Sequence, residues 1–433
     1  MRILLVGAGG VGNAIAKIAA TRNFYEHIVV ADYNQSRADE TIDWIANKHG
    51  SEVAAKFSSA KIDAGNAANV TELCHEHQIT HVLNAVEPKF VPTVFSGAFS
   101  AGVHYLDMAM SLSEAHPTDP FHKPGIKLGD QQFALSEQWE RAGLLALVGV
   151  GVEPGLSNVF ARYAQDYLFA EIDQVSVKDG SNLVVVDEHG NEIFAPSFSI
   201  WTTIEECLNP PVLWSKDKGF YTTAPFSEPE IFEFPEGIGA VECVNVEHEE
   251  VTMLPAVIKA NSFNFKYGLG SKFIGVLKTL HELGLDATKT VRVRSPQGPV
   301  DVSPRDVVAA VLPDPATIGP RMSGKTCAGV LVTGKDNDGK LRATYLYHVM
   351  DNDWTMAEYD AQAVVVQTAF NPLIALELLA TGIWQGEGVL GPESFDAKPF
   401  LDLMSSSVGY KQRWMAQERL PANPLALPES LTI

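Results

Sequence analysis

The sequence predicts an α/β chain: an N-terminal Rossmann domain on a doubly wound parallel sheet, followed by a second α+β domain with a mixed or antiparallel sheet. Three observations predict it. Over residues 1–158, short β-branched runs alternate with amphipathic stretches of about 10 to 15 residues, as in parallel strands joined by crossover helices. A glycine-rich turn, GAGGVG at 7–12, stands between the first such run and the first helix. Beyond about residue 160 the period shortens to two, and strand-like pieces follow one another.

The elements follow in order. RILLVG reads as a strand and VGNAIAKIAATR as a helix; HIVVAD is a second strand, and SRADETIDWIANKHG a helix closed by Gly50. AAKFSSAKID holds a third strand before the helix NVTELCHEHQ. THVLNAV, the helix PTVFSGAFSAG and VHYLDMA supply the fourth and fifth strands. After a polar, proline-rich connection at 111–127, QQFALSEQWERAG and LLALVGVGVEPG give one more helix and strand. The second domain, 159–368, reads as strand-like in IDQVSVKDG, NLVVVDE, GAVECVNVEH, VTMLPAVIKANSFNFKYG and TVRVRS. TCAGVLVTGKDNDGKLRATYLYHV is a hairpin about KDNDGK, while SKFIGVLKTLHELG and PRDVVAAVL are helical. Helical periodicity returns in DAQAVVVQTAFNPLIALELLATG, and residues 369–433 are expected to pack as a helical segment on the first domain.

At 433 residues the chain exceeds one ordinary core, and 46% hydrophobic with 20% charged residues is the composition of a folded protein. Thirty-two Lys and Arg against 53 Asp and Glu give a net charge of −21, which disfavours nucleic acid and anionic membrane surfaces as partners. No uninterrupted apolar stretch reaches the roughly 20 residues of a membrane span. Only Met1 and Arg2 precede the first strand, so no leader is expected. Cys74, Cys207, Cys243 and Cys327 form no CxxC pair, which fits a reducing, cytoplasmic setting. No metal is expected: Cys74, His75, His77 and His81 straddle a helix end and the next strand, so their side chains diverge. GPRMSGKT (319–326) has P-loop spacing but precedes a strand rather than a helix, so it is not read as a phosphate loop.

In the glycine turn, Gly7 makes the tight bend, Gly9 lets the backbone approach a pyrophosphate, and Gly12 packs the helix on its strand. Gly10 and Val11 open that helix, whose N-terminal amides face the phosphates. Asp32 follows Gly12 by 20 residues at the end of the second strand, where a carboxylate accepts the adenosine ribose hydroxyls and favours NAD. Arg37 keeps NADP open. Tyr33 adjoins Asp32. Asp63 is a candidate for adenine, and Asn84 with Ala85 for ribose or nicotinamide; helix capping is the alternative for Asp63 and Asn84.

AGVHYLDMA (101–109), GVEPGLSN (151–158), APSFSIWTTIEECLNPP (195–211), VNVEHEEVTMLP (244–255), FKYGLG (265–270) and GVLGPESFDAKPFLD (388–402) together resemble the saccharopine dehydrogenase family. The resemblance implies an NAD(P)-dependent oxidoreductase acting on a carbon–nitrogen bond of an amino acid, with hydride transfer between nicotinamide and a secondary amine or imine. Lysine 6-dehydrogenase and carboxynorspermidine-type imine reduction are alternatives within it. A protein that senses NAD(H) without turnover is an alternative of another class. The resemblance also implies a homodimer acting on a small amino-acid substrate. Saccharopine-type chemistry needs an acid–base group and cations for two or three substrate carboxylates. Asp107, Glu153 and Lys266 are the candidates for the catalytic group, with His104 as a lesser one. Trp201, Thr202, Thr203 and Tyr267 are expected in the substrate pocket, and Arg162, Arg292, Arg294 and Arg321 are unranked carboxylate binders.

Overall fold

The computed structural model describes residues 1–315 and 317–419. Residues 2–147 supply six strands: β1 (Arg2–Val6), β2 (His27–Asp32), β3 (Phe57–Lys61), β4 (His81–Asn84), β5 (His104–Asp107) and β6 (Leu145–Leu147). They run parallel in the order β6-β5-β4-β1-β2-β3. The β1 side chains Ile3, Leu4, Leu5 and Val6 are all buried, as a strand covered by helices on both faces requires. The chain order reverses between β1 and β4, and a crevice opens there beyond their carboxyl ends.

A seventh parallel strand, Gly388–Leu390, pairs with β6. The stretch 388–402, grouped by resemblance with the second domain, therefore begins as an edge of the first sheet. No domain boundary falls at 368 either, because Ala363–Ala380 is one helix. The segment after it carries the Gly388–Leu390 strand, the helix Ala397–Ser405 and the strand Trp414–Arg419 of the second sheet, so it is not simply helical. The part of the expected 369–433 segment from 420 onward lies outside the described residues.

The second sheet runs Gly219–Thr222, Val212–Ser215, Ser262–Gly268, Glu171–Ser181, Lys325–Lys335, Leu341–Asp351, Trp414–Arg419. It is mixed: Ser262–Gly268 is parallel to Glu171–Ser181, and the hairpin Lys325–Lys335/Leu341–Asp351 pairs antiparallel with closing register Lys335↔Leu341. The long strand read from VTMLPAVIKANSFNFKYG is instead a short helix, Glu249–Met253, a 3-10 turn with Pro255 in its first turn, and the strand Ser262–Gly268. NLVVVDE and TVRVRS lie in small separate sheets.

Ala363–Ala380 is long and apolar enough to cross a membrane, but its residues are mostly buried inside the molecule, against the first helix, α1 (Gly10–Ala19). With Leu156–Tyr163 it fills the space between the two sheets, and one apolar core runs from Ile3 and Leu5 through Phe160 and Leu373 to Val175 and Phe263. The sheets are thus held against one another, with the crevice along their seam.

Candidate active site

The cofactor half is set by glycine stereochemistry. Gly7 has φ +102°, and a Cβ there would stand 2.8 Å from Ala85 O. A Cβ on Gly12 would stand 1.9 Å from Gly7 O, so only glycine lets α1 approach its strand. At Gly9, the N-cap, nothing lies within 4 Å, which leaves open the space a pyrophosphate needs before the amides of α1. The Asp32 carboxylate accepts Ala8 N–H at 2.7 Å and Asn34 N–H at 2.8 Å, locking the strand end to the glycine loop. These features fit NAD(P): the loop for its phosphates and Asp32 for its ribose, with hydride chemistry supplied by the nicotinamide when bound. Tyr33 is exposed beside them, under the Lys61 ammonium at 5.5 Å. Asp63 makes a turn, its Oδ1 accepting Gly65 N–H at 2.9 Å. Asn84 donates to the Tyr105 hydroxyl (2.9 Å) and accepts Val86 N–H (3.3 Å), and so shapes the crevice wall.

From Gly10, Val11, Asn84 and Ala85 a cavity of about 620 Å³ runs to the second domain. Its far wall carries Glu153, Asp179, Glu206, Glu249 and Tyr267, with Trp201, Thr202 and Thr203 along one side. Ser199 caps the helix Ile200–Leu208, whose first turn faces the cavity; Glu206, three and four residues past Thr203 and Thr202, falls on the same face. The Trp201 indole N–H donates to Asp306 (3.1 Å), and the Arg305 guanidinium lies 4.7 Å over its ring.

The wall is acidic. Burial, then its carboxylate neighbours Glu249 and Glu250 against the opposing His248, pushes Glu206 up to about 8. Burial works against charge on His248, but Glu250 at 2.5 Å and Glu249 at 3.3 Å outweigh it and raise the imidazole to about 10. The ring stacks on Phe265 at 3.9 Å, so it is a fixed cation. His248, Glu249 and Glu250 are the one cluster with metal-ligand spacing among the described residues. Its imidazole is already bound to carboxylate, and Ser157 O–H satisfies Glu250 at 2.7 Å, so the group is a charge-compensated pair rather than a cation site. Glu249 keeps Oε2 buried without a hydrogen bond. Among the described residues on the cavity wall, Lys89 is the only ammonium, paired with Glu87 at 2.6 Å.

The structure brings Glu153, Trp201, Thr202, Thr203 and Tyr267 to this cavity and corrects the others. Asp107 is fully buried at the end of β5, where Gly149 N–H (2.7 Å) and Gln132 (2.8 Å) donate to it. Burial raises it to about 7, and it ties β5 to the loop after β6 without lining the cleft. Lys266 lies behind the sheet, donating to Glu228 O (2.8 Å) and Glu230 (3.0 Å), because the strand's period of two sends Tyr267 to the cleft and Lys266 away. His104 accepts Leu145 N–H at 3.0 Å within the first sheet. Arg162 binds Asp166, and Arg292 binds Asp301 on an outlying hairpin; neither lines the cleft, nor do Arg294 and Arg321. The expected arginine clamp is absent from the described cavity wall. Asp179, Glu206, His248 and Glu249 were missed. Their signals were period two in VSVKDG, helical spacing in TTIEE, and the acid-histidine run EHEE.

Comparison with known proteins agrees with this division of labour. The model for the saccharopine dehydrogenase NADP binding domain matches residues 3–147, and that for the saccharopine dehydrogenase C-terminal domain matches 151–410. Carboxynorspermidine synthase of Vibrio alginolyticus is 30% identical over 431 residues, covering 98% of this chain and 99% of that protein. Carboxyaminopropylagmatine dehydrogenase of Synechocystis is 26% identical, covering 92% and 94%. The apo saccharopine dehydrogenase (L-Glu forming) of Saccharomyces cerevisiae superposes with TM-score 0.66 at 12% identity, covering 97% of this chain and 100% of that one, a likeness of fold.

Proposed function

The chain belongs to the saccharopine dehydrogenase family, and from that premise we propose that it joins a cationic diamine to the aldehyde of an amino acid, reducing the imine between them to a secondary amine. It is an NAD(P)-dependent oxidoreductase acting on a carbon–nitrogen bond. The acidic cavity wall carries the choice of substrate. Saccharopine presents several carboxylates, and this wall offers them buried carboxyl groups and, among the described residues, a single ammonium, Lys89, where several cations would be needed. A second ammonium on the amine would ionise Glu206 and pair with it beside Glu249, whose Oε2 has no hydrogen bond, and Lys89 suits the single carboxylate of the aldehyde partner. The names of the two relatives, a carboxynorspermidine synthase and a carboxyaminopropylagmatine dehydrogenase, point to the same chemistry.

The test is nicotinamide absorbance on mixing enzyme and NAD(P)H with an α,ω-diamine plus an amino-acid semialdehyde. Saccharopine with NAD(P)⁺, lysine plus 2-oxoglutarate, and lysine alone with NAD(P)⁺ are the rival substrates. The diamine pair should turn over fastest, and a faster rate with any rival overturns the reading. Glu206→Gln should raise KM for the diamine about tenfold, equivalent to one charged hydrogen bond of about 1.4 kcal/mol, leaving KM for the cofactor unchanged.

A further inference from the structure

Glu153 and Asp179 meet at the seam between the two sheets: Glu153 reaches Gly329, which pairs with Lys178 next to Asp179, and both acids line the cavity. Glu153 rides on the loop leaving β6. There Leu156 N–H returns to Gly151 O at 3.1 Å, and Gly155 takes φ +136°, with a Cβ position only 2.0 Å from Gly151 O. Its Oε1 accepts Gly329 N–H from the second sheet at 3.2 Å. Asp179 stands on the cleft face of Glu171–Ser181, in register with Tyr267, and both carboxyls line the cavity. Lys178 and Lys266, one residue before each, point to the opposite face at Glu230. The titratable groups around the pair are His248 and Glu250 from the segment beside it, Tyr267 from its own sheet, Cys243 from the strand Gly239–Asn245, and Cys327 and Tyr345 from the hairpin behind. Two neighbouring carboxyl groups out of water hold one proton between them, because two adjacent anions repel.

We propose that this pair, one carboxyl from the loop leaving the first sheet and one from the second sheet, is the proton relay that forms and dehydrates the carbinolamine before reduction. The inference rests on the condensation reaction proposed above. As the amine nitrogen attacks the aldehyde carbon, the ionised carboxyl takes the proton from nitrogen while the protonated one gives its proton to oxygen. The C–N bond forms and the pair still holds one proton. That proton next goes to the hydroxyl, the C–O bond breaks, water leaves, and the nitrogen lone pair closes the C=N bond. The pair is then doubly ionised beside the iminium cation, whose charge it balances until hydride from NAD(P)H reduces the carbon. A proton from water restores the pair. The other candidates do not fit: Asp107 is enclosed, Lys266 is behind the sheet, and His248 is a fixed cation.

Glu153→Gln and Asp179→Asn, near-isosteric changes, test the relay. Infrared difference spectra against wild type at neutral pH should show one protonated-carboxyl C=O stretch lost in each variant. If neither loses it, there is no shared proton and the proposal is overturned. With a substrate pair the wild type uses, each variant should lose about 100-fold or more in kcat, the scale of general acid catalysis, with KM for the cofactor unchanged. The primary isotope effect from C4-deuterated cofactor should fall towards unity as dehydration becomes limiting. Near-normal kcat, or a reduced kcat with the isotope effect undiminished, overturns the relay. The wild-type kcat should also decline at alkaline pH as the shared proton is lost, a check needing no variant to fold; a flat profile overturns it. A wild type that binds NAD(P)H yet turns over no amine–aldehyde pair sinks the condensation reaction instead, whatever the spectra show.

Discussion

Lys266 and Tyr267 are chain neighbours on opposite sides of a sheet, one salt-bridged to Glu230 and the other facing the cleft. Sequence alone marked FKYGLG as important, but which residue faces the cleft depends on the register of Ser262–Gly268 beside Glu171–Ser181. Asp107 teaches the same lesson differently. Its position at the end of β5 was legible and suggested chemistry, yet donors from Gly149 and Gln132, 42 and 25 residues away, enclose it. Asp107→Asn should therefore destabilise without changing either substrate KM. The new amide N–H₂ would face a donor that now has an acceptor, a loss of about 1–3 kcal/mol. Urea unfolding and steady-state kinetics measure both, and a large KM change with normal stability would return Asp107 to the site.

At the scale of elements, the strands and helices with strong periodicity fall where the sequence puts them, from RILLVG to the KDNDGK hairpin. The misreadings cluster where local and distant pairing compete. GVLGPESF begins an edge strand of the first sheet although 240 residues lie between it and β6, a pairing no local pattern encodes. VTMLPAVIKAN alternates like a strand, but Pro255 and the burial of Val251, Met253 and Leu254 make it a helical turn. The helix Ala363–Ala380 is apolar almost all round because it lies between two sheets. Leu373 at its centre is fully buried, so Leu373→Ala should cost about 2–5 kcal/mol. Denaturant midpoints would show it, and a cost under about 1 kcal/mol would contradict the helix's place between the sheets.

Across the whole molecule, the net charge of −21 is not only a surface property. Burial raises Asp107, Glu247 and Glu393 to about 7 and Glu206 to about 8. Each favours the folded state below its unfolded pKa near 4, and this contribution is lost as pH rises through the folded value. His248, raised to about 10, acts in the same sense: between its unfolded value near 6.5 and 10 the folded state holds the extra proton. The opposing histidines His81 and His348, lowered to about 3 and 4, act below about 6.5, and Lys17, lowered to about 8, acts above that. From about pH 7 to about pH 8 the melting temperature should therefore fall at constant ionic strength. Calorimetry reads it directly, and a rise over that interval would mean these acids are ionised in the folded protein.

The sequence by itself determined the Rossmann half, the glycine cradle with Asp32, the mixed second sheet and the family. These depend on local period and on backbone positions only glycine can occupy. Tertiary structure decided which acids share the cavity. Glu153, Asp179, Glu206 and Glu249 come from a loop, a strand and two helices, and their proximity depends on strand register and on how the two sheets close over one core. The acidity of that cavity, where a cationic clamp was expected, therefore became visible only once the two sheets were placed together.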